Sequence, residues 1–328
     1  MNRAALPLLC ILLLCVVVAA CCIGPYPLSP SQILTALGGS GTDAAAAHVL
    51  YDIRLPRVLA ALLVGAALAA AGSAYQSIFQ NPLVSPDILG VSTGAGLGAV
   101  FGILLGLPVI LIQLLGFGTG IVTVMGVAVL ARTLRGGGDT LVLVLSGIVV
   151  GALAGAAIGL IKVLADPYEQ LPAITFWLLG SLSGIQRGDA LATLPAILAG
   201  LLPLVLLRWR IGVLATGEDE AKALGIETNR LRATVIGAAT LVTASVVSIS
   251  GVIGWVGLMV PHMARLIVGA RFDRLLPASI LLGASFMIAV DTLARSAARI
   301  EIPLGVLTAL IGGPIFVWLL ARDRRRFR

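Results

Sequence analysis

Long apolar runs dominate the chain, and short polar breaks separate them. A helix needs about 20 apolar residues to cross the hydrocarbon core of a bilayer. Runs of that kind cover residues 6–23, 56–79, 88–105, 108–131, 140–164, 190–207, 233–250, 275–294 and 303–320, and a shorter apolar piece covers 255–268. They predict an all-α integral membrane protein of about ten transmembrane helices, one polytopic domain over residues 1–328. Pro56 suits a first helical turn. Residues 24–52 form a segment rich in Pro, Gly and Ser, and residues 165–189 read as holding a short interfacial helix. Pro261 and His262 are expected to interrupt the piece at 255–268.

Composition agrees, with 59% hydrophobic and 11% charged residues, where a soluble domain carries about 25% charged. The net charge is +7, and every basic residue except Lys162 and Lys222 is Arg. Ten crossings from a cytoplasmic N-terminus put Arg3, Arg132, Arg135, Arg208, Arg210, Lys222, Arg230, Arg232, Arg265, Arg271, Arg274 and the tail arginines inside. Only Arg54, Arg57, Lys162, Arg187, Arg295 and Arg299 fall outside. Basic residues gather in cytoplasmic loops, so this charge reads as topology with both termini cytoplasmic, and no nucleic-acid partner is expected.

Leu62, Gly72, Pro82, Ile88 and Gly90 recur at one constant offset as Leu241, Gly251, Pro261, Ile267 and Gly269. The second span runs inward and the seventh outward, so the recurrence reads as an inverted repeat, common among transporters.

Candidate chemistry is sparse. Cys10, Cys15, Cys21 and Cys22 all fall in or beside the first span without a partner His or second cluster, so no metal site is expected. Val18-Ala19-Ala20-Cys21 resembles a lipoprotein processing site, although an uncleaved first helix is the expectation. No Walker A motif is present, and Gly94-Ala95-Gly96-Leu97-Gly98 lies inside an apolar run, where small residues let helices approach closely. Neither a nucleophile–base pair nor a metal constellation supports an intramembrane enzyme. An ion-coupled secondary transporter, the alternative reading, needs an acid within the membrane. Asp291 is the main one, and Arg295 one turn later makes a local ion pair the simpler reading. His262 reads as a structural residue, and His48 lies in an outer loop. The charged segment 208–232 contains a short helix with Glu218, Asp219 and Glu220 in its first turn and Gly225 at its C-terminal cap.

Three stretches make the chain resemble the permease subunit of type II ABC importers, the FecCD-like family carrying ferric siderophores, haem and vitamin B12. The first is Arg54-Leu55-Pro56-Arg57-Val58-Leu59 through Gly65, Gly72, Gln76, Asn81-Pro82-Leu83 and Leu89-Gly90-Val91. The second is residues 217–225. The third runs from Gly251 through Gly257-Leu258-Met259-Val260-Pro261-His262-Met263-Ala264-Arg265 to Leu276-Pro277, Asp291 to Arg295, Glu301-Ile302-Pro303-Leu304-Gly305 and Thr308 to Pro314. The resemblance implies a homodimer in a bacterial or archaeal inner membrane, working by alternating access. Two cytoplasmic ATPases would hold the ATP and magnesium, and this chain would need no cofactor. An extracytoplasmic binding protein would deliver the cargo. By the same resemblance, Gly217, Glu218, Asp219, Glu220, Ala221, Leu224 and Gly225 couple to the ATPase. Arg54, Arg57 and Arg295 meet the binding protein. Asn81, Leu83, Asp139 and Thr140 form the cytoplasmic gate, with Asp139 standing where a small hydroxyl residue is usual.

Overall fold

A computed structural model describes residues 4–37, 44–135 and 140–323, and every regular element among them is helical. The order is α1 (Ala5–Cys22), α2 (Pro30–Leu37), α3 (Ala44–His48), a π-helical turn (Val49–Arg54), α4 (Leu55–Ile78), a 3-10 turn (Pro86–Leu89) and α5 (Val91–Leu104). There follow α6 (Val109–Arg135), α7 (Thr140–Leu164), α8 (Gln170–Leu179), α9 (Arg187–Leu206), α10 (Arg208–Leu214), α11 (Glu218–Ala223) and α12 (Thr228–Ser250). The chain closes with α13 (Val256–Val268), α14 (Phe272–Ser296) and α15 (Leu304–Asp323).

Seven described helices are long and apolar enough to cross a membrane. The shorter apolar helices α5, α13 and α15 fall on the predicted third, eighth and tenth spans, and α8 is the expected short helix. Residues 24–52, for which the sequence predicted no element, are partly helical. Their described part folds into α2, α3 and the π turn, which runs without a break into α4.

α4 is the centre of the bundle: 89% of its most apolar stretch is buried, against 17% in α7. Small residues let its neighbours come to backbone contact. A Cβ on Gly65 would lie 2.1 Å from the Gly283 carbonyl oxygen of α14, and one on Gly72 would lie 1.8 Å from that of Gly257 in α13. Pro261 makes the second contact possible. It lies inside α13, which continues through it rather than breaking. Proline has no N–H to offer the carbonyl four residues back. That carbonyl is Gly257's, so its oxygen is left to face the Gly72 backbone. Gln76 adds a polar tie, donating from Nε2 to the Leu258 carbonyl at 2.9 Å. The Gly94 and Gly98 positions pack on Thr123 and Thr119 of α6, which is the close helix packing expected of that run.

The long-short-long-long sequence of α4 to α7, with 24, 14, 27 and 25 residues, recurs in α12 to α15, with 23, 13, 25 and 20. The constant offset of the five identities does not follow these elements. Gly72 lies inside α4 whereas Gly251 follows the end of α12, and Pro82 lies in a loop whereas Pro261 is helical. The elements repeat, but those five pairs do not mark equivalent places in them.

Candidate functional site

Two clusters of charge stand at opposite ends of α12. The first gathers Arg54, Arg57 and Arg295, which the sequence scatters over three segments. They line one hollow of about 400 Å³ with Arg299 and Glu301. Arg57 is buried, and its Nε donates to both Asp291 oxygens at 2.8 and 3.0 Å. Its Nη1 and Nη2 donate to Glu301 at 2.9 and 2.5 Å. Arg54 and Arg295 do something else. A helix leaves its last four carbonyls without intrahelical donors. In α1 the Ala19 carbonyl is taken by the Ile23 N–H and the Cys22 carbonyl by the Leu28 N–H. Arg295 takes Ala20, and Arg54 takes Cys21 while also donating to Tyr26. Two guanidinium groups from distant helices therefore cap α1, where positive charge is favoured. The three predicted docking residues are brought together, and each holds internal partners.

Four arginines meet two carboxylates here, so the hollow keeps an excess of positive charge. Arg299 is the exposed one of the four arginines. Asp291 does pair with Arg295, at 3.7 Å, but Arg57 is its closer partner. Sequence reading missed that pairing and the role of Glu301. The available signal was opposite charge at the outer ends of the second and ninth spans.

The second cluster surrounds α11. Glu218 accepts from Arg232 Nη2 at 3.0 Å and from the Thr228 hydroxyl at 3.3 Å, and it pairs with Lys222 at 3.0 Å. Those contacts hold its carboxyl below the usual glutamate range, hydrogen bonding from Lys222 and then Arg232 being the main causes. Ala221 is buried beside it. Asp219 and Glu220 are exposed, and so is Leu224, at 61%. α11 thus has an inner face that fastens it to α12 and an outer face with acids and one apolar side chain in the open. Gly225 follows with φ of 75°, the left-handed geometry of a helix C-cap. Gly217 stands before the helix in extended backbone.

Of the gate residues, Asn81 accepts the Leu83 N–H at 2.9 Å in a tight turn, and both side chains are exposed. This turn is tied in place by Gln80, which has φ of 50° and donates to the Leu214 carbonyl at 2.8 Å. Thr140 begins α7. Asp139 lies outside the described residues.

This bundle of apolar helices is that of a multi-pass membrane permease. The chain belongs to the FecCD transport family, whose profile matches residues 11–322. It is 42% identical to the probable iron chelatin transport system permease protein of Helicobacter pylori over 84% of this chain and 83% of that one. It is 39% identical to the molybdate import system permease protein MolB of Haemophilus influenzae over 97% and 95% of the two chains. The hemin transport system permease protein HmuU of Yersinia pestis is 35% identical over 99% and 97%. A solved inward-facing conformation of a putative metal-chelate type ABC transporter superposes with a TM-score of 0.87 at 37% identity, covering 98% of this chain and all of that one. The chain is therefore a transporter permease of the ABC importer class rather than an enzyme.

Proposed function

We propose that this chain is the permease subunit of an ATP-driven importer that takes up an iron complex, a ferric siderophore or haem, or vitamin B12. The observation that carries the reading is the two-faced α11. Glu218 and Ala221 anchor it, while Asp219, Glu220 and Leu224 are exposed. An anchored helix with a free outer face is suited to receive force from an ATPase. The α11 end is then cytoplasmic, as are both termini, and residues 217–225 dock the ATPase. The turn at Asn81 and Leu83, with Asp139 and Thr140, forms the inner gate. The positive hollow at the other end receives carboxylates of a binding protein. Charges of this kind act chiefly on encounter rate and orientation. A second copy of the chain packs on α7, whose apolar surface is largely uncovered. The iron chelatin and hemin relatives favour a metal chelate as cargo, and the molybdate relative widens the class. Ion coupling is disfavoured because the Asp291 carboxylate is already held by Arg57.

Reconstitution into liposomes with the partner ATPase and binding protein tests the reading. Uptake of a ferric chelate, haem or cobalamin that requires ATP is the expected result. Uptake driven by an ion gradient without ATP overturns it.

A further inference from the structure

A second, larger cavity of about 810 Å³ opens between α6, α7 and α12. Arg132, Thr140, Asn229 and Arg232 line it at one end, where α6 finishes and α7 and α12 begin, beside the proposed inner gate. Its other walls are mainly apolar, including Ile121, Met125, Leu143 and Ile236. Among the deeper lining residues Thr240 is an exception, and its hydroxyl meets Tyr75 at 3.5 Å.

We propose that this cavity binds one anionic phospholipid, with the phosphate at Arg132 and Arg232 and an acyl chain along α6. Three observations commit the site to that occupant. First, the polarity is one-sided, with cationic groups at the mouth and a mainly apolar interior, as an amphipathic anion requires. Second, the depth fits. From Arg132 to Ile121 a helix rises about 16 Å, close to half of the roughly 30 Å hydrocarbon core, which is the reach of one leaflet. Third, Arg232 is buried, and among the described residues its Nε has no hydrogen-bond partner. Its Nη2 is engaged by Glu218. A buried guanidinium N–H left unmatched is costly, and a phosphate oxygen at the mouth would satisfy it. Basic pockets between membrane helices are suited to anionic headgroups. The site rests on the membrane position of the helices and holds whichever cargo is carried.

Arg232 would then be shared between the lipid phosphate and Glu218, so occupancy bears on how firmly α11 is fastened.

The test uses the full chain purified in detergent and titrated with phosphatidylglycerol or phosphatidylcholine, with bound lipid counted by native mass spectrometry. Phosphatidylglycerol should be preferred by roughly tenfold, given two arginines at the headgroup. Arg132→Gln should reduce that preference. Gly237 lines the cavity, and a Cβ there meets nothing within 4 Å. Gly237→Leu should therefore fold, fill the space and reduce binding of both lipids. Ala128→Leu serves in its place if that variant is unstable. Equal binding of the two lipids, or unchanged binding in the filled variants, overturns the proposal. So does glycerol phosphate competing as well as the intact lipid, which marks a plain anion site. A photoreactive acyl chain that labels a second copy of the chain instead of α6 overturns it too.

Discussion

Arg57 and Asp291 stand 234 positions apart, yet the guanidinium Nε reaches both carboxylate oxygens at 2.8 and 3.0 Å. The Arg57 side chain is 9% exposed and that of Asp291 2%. Removing one member of a buried pair strands the other charge, at about 3–5 kcal/mol. Arg57→Ala is expected to destabilise by that amount and lower the melting temperature of the purified protein. The double variant Arg57→Leu with Asp291→Leu should lose less than either single change. Additive losses would show that the pair is not a unit.

Arg54 and Arg295 should act on α1. Hydrogen bonds to charged groups contribute about 1.5–3 kcal/mol, and both side chains are buried. Arg295→Ala is expected to speed hydrogen exchange at the last turn of α1 with little effect on α12. Uniform exchange changes across the bundle would contradict a local cap.

Much of the fold was legible because a bilayer imposes one rule on every span. Residues 140–164 were read to the residue, and α6 extended only a turn beyond its expected end. The pairing of Arg57 with Asp291 was not legible. Hydropathy orders residues along the chain and says nothing about which helices touch. Asp291 was matched with Arg295 because that neighbour is four residues away, whereas the better partner lies on another helix. The π turn at Val49–Arg54 escaped for a different reason: a search for membrane-length apolar runs passes over six residues. Pro261 misled because a proline breaks an isolated helix, and here the carbonyl it frees meets the glycine of α4. The short helix after Gly217 was legible, since the acids of its first turn and Gly225 at its C-terminal cap are local features.

The glycines of α4 divide sharply from others. Overpacking costs about 1–3 kcal/mol, and the Cβ of Gly72→Ala would strike backbone rather than a movable side chain. That variant should be destabilised accordingly. Gly118→Ala in α6 meets nothing within 4 Å and should be neutral or gain about 0.5–1 kcal/mol. Thermal unfolding of the two variants under one condition separates them.

Glu218 predicts an acid sensitivity of α11. Its carboxyl titrates lower in the folded chain than when free, with Lys222 and then Arg232 as the main causes. A depressed carboxylate stabilises above its free pKa, and the contribution fades as pH falls through the folded value. Fastening of α11 should thus be complete at neutral pH and weaken below about pH 4.3, the ordinary glutamate value. Hydrogen exchange at residues 218–225, corrected for intrinsic rates, is the readout. Glu218→Gln should abolish the pH dependence, and its persistence would assign the effect elsewhere.

The positive hollow makes a prediction about encounter. Arg54, Arg57 and Arg295 are engaged inside the fold, so their reversal confounds docking with stability. Exposed Arg299 avoids the problem. Under the proposed docking role, Arg299→Glu should slow association of a binding protein and flatten its salt dependence, leaving dissociation nearly unchanged. Surface plasmon resonance at two ionic strengths decides it.

α12 spans 23 residues, or roughly 34 Å of rise. Its foot is the Arg232 contact with Glu218. At its head the Ser250 carbonyl accepts the Ser181 N–H at 2.8 Å, beside Gly251 pressed on the Trp177 carbonyl. Alongside it, α4 bears on α13 and α14 through glycine backbone, so no rotamer change can absorb a displacement. An unbroken helix of that length is stiff along its axis. In the importer proposed above, a small push at the foot would arrive at the head as travel of the whole rod, so that α12 would serve as a transmission as well as a wall.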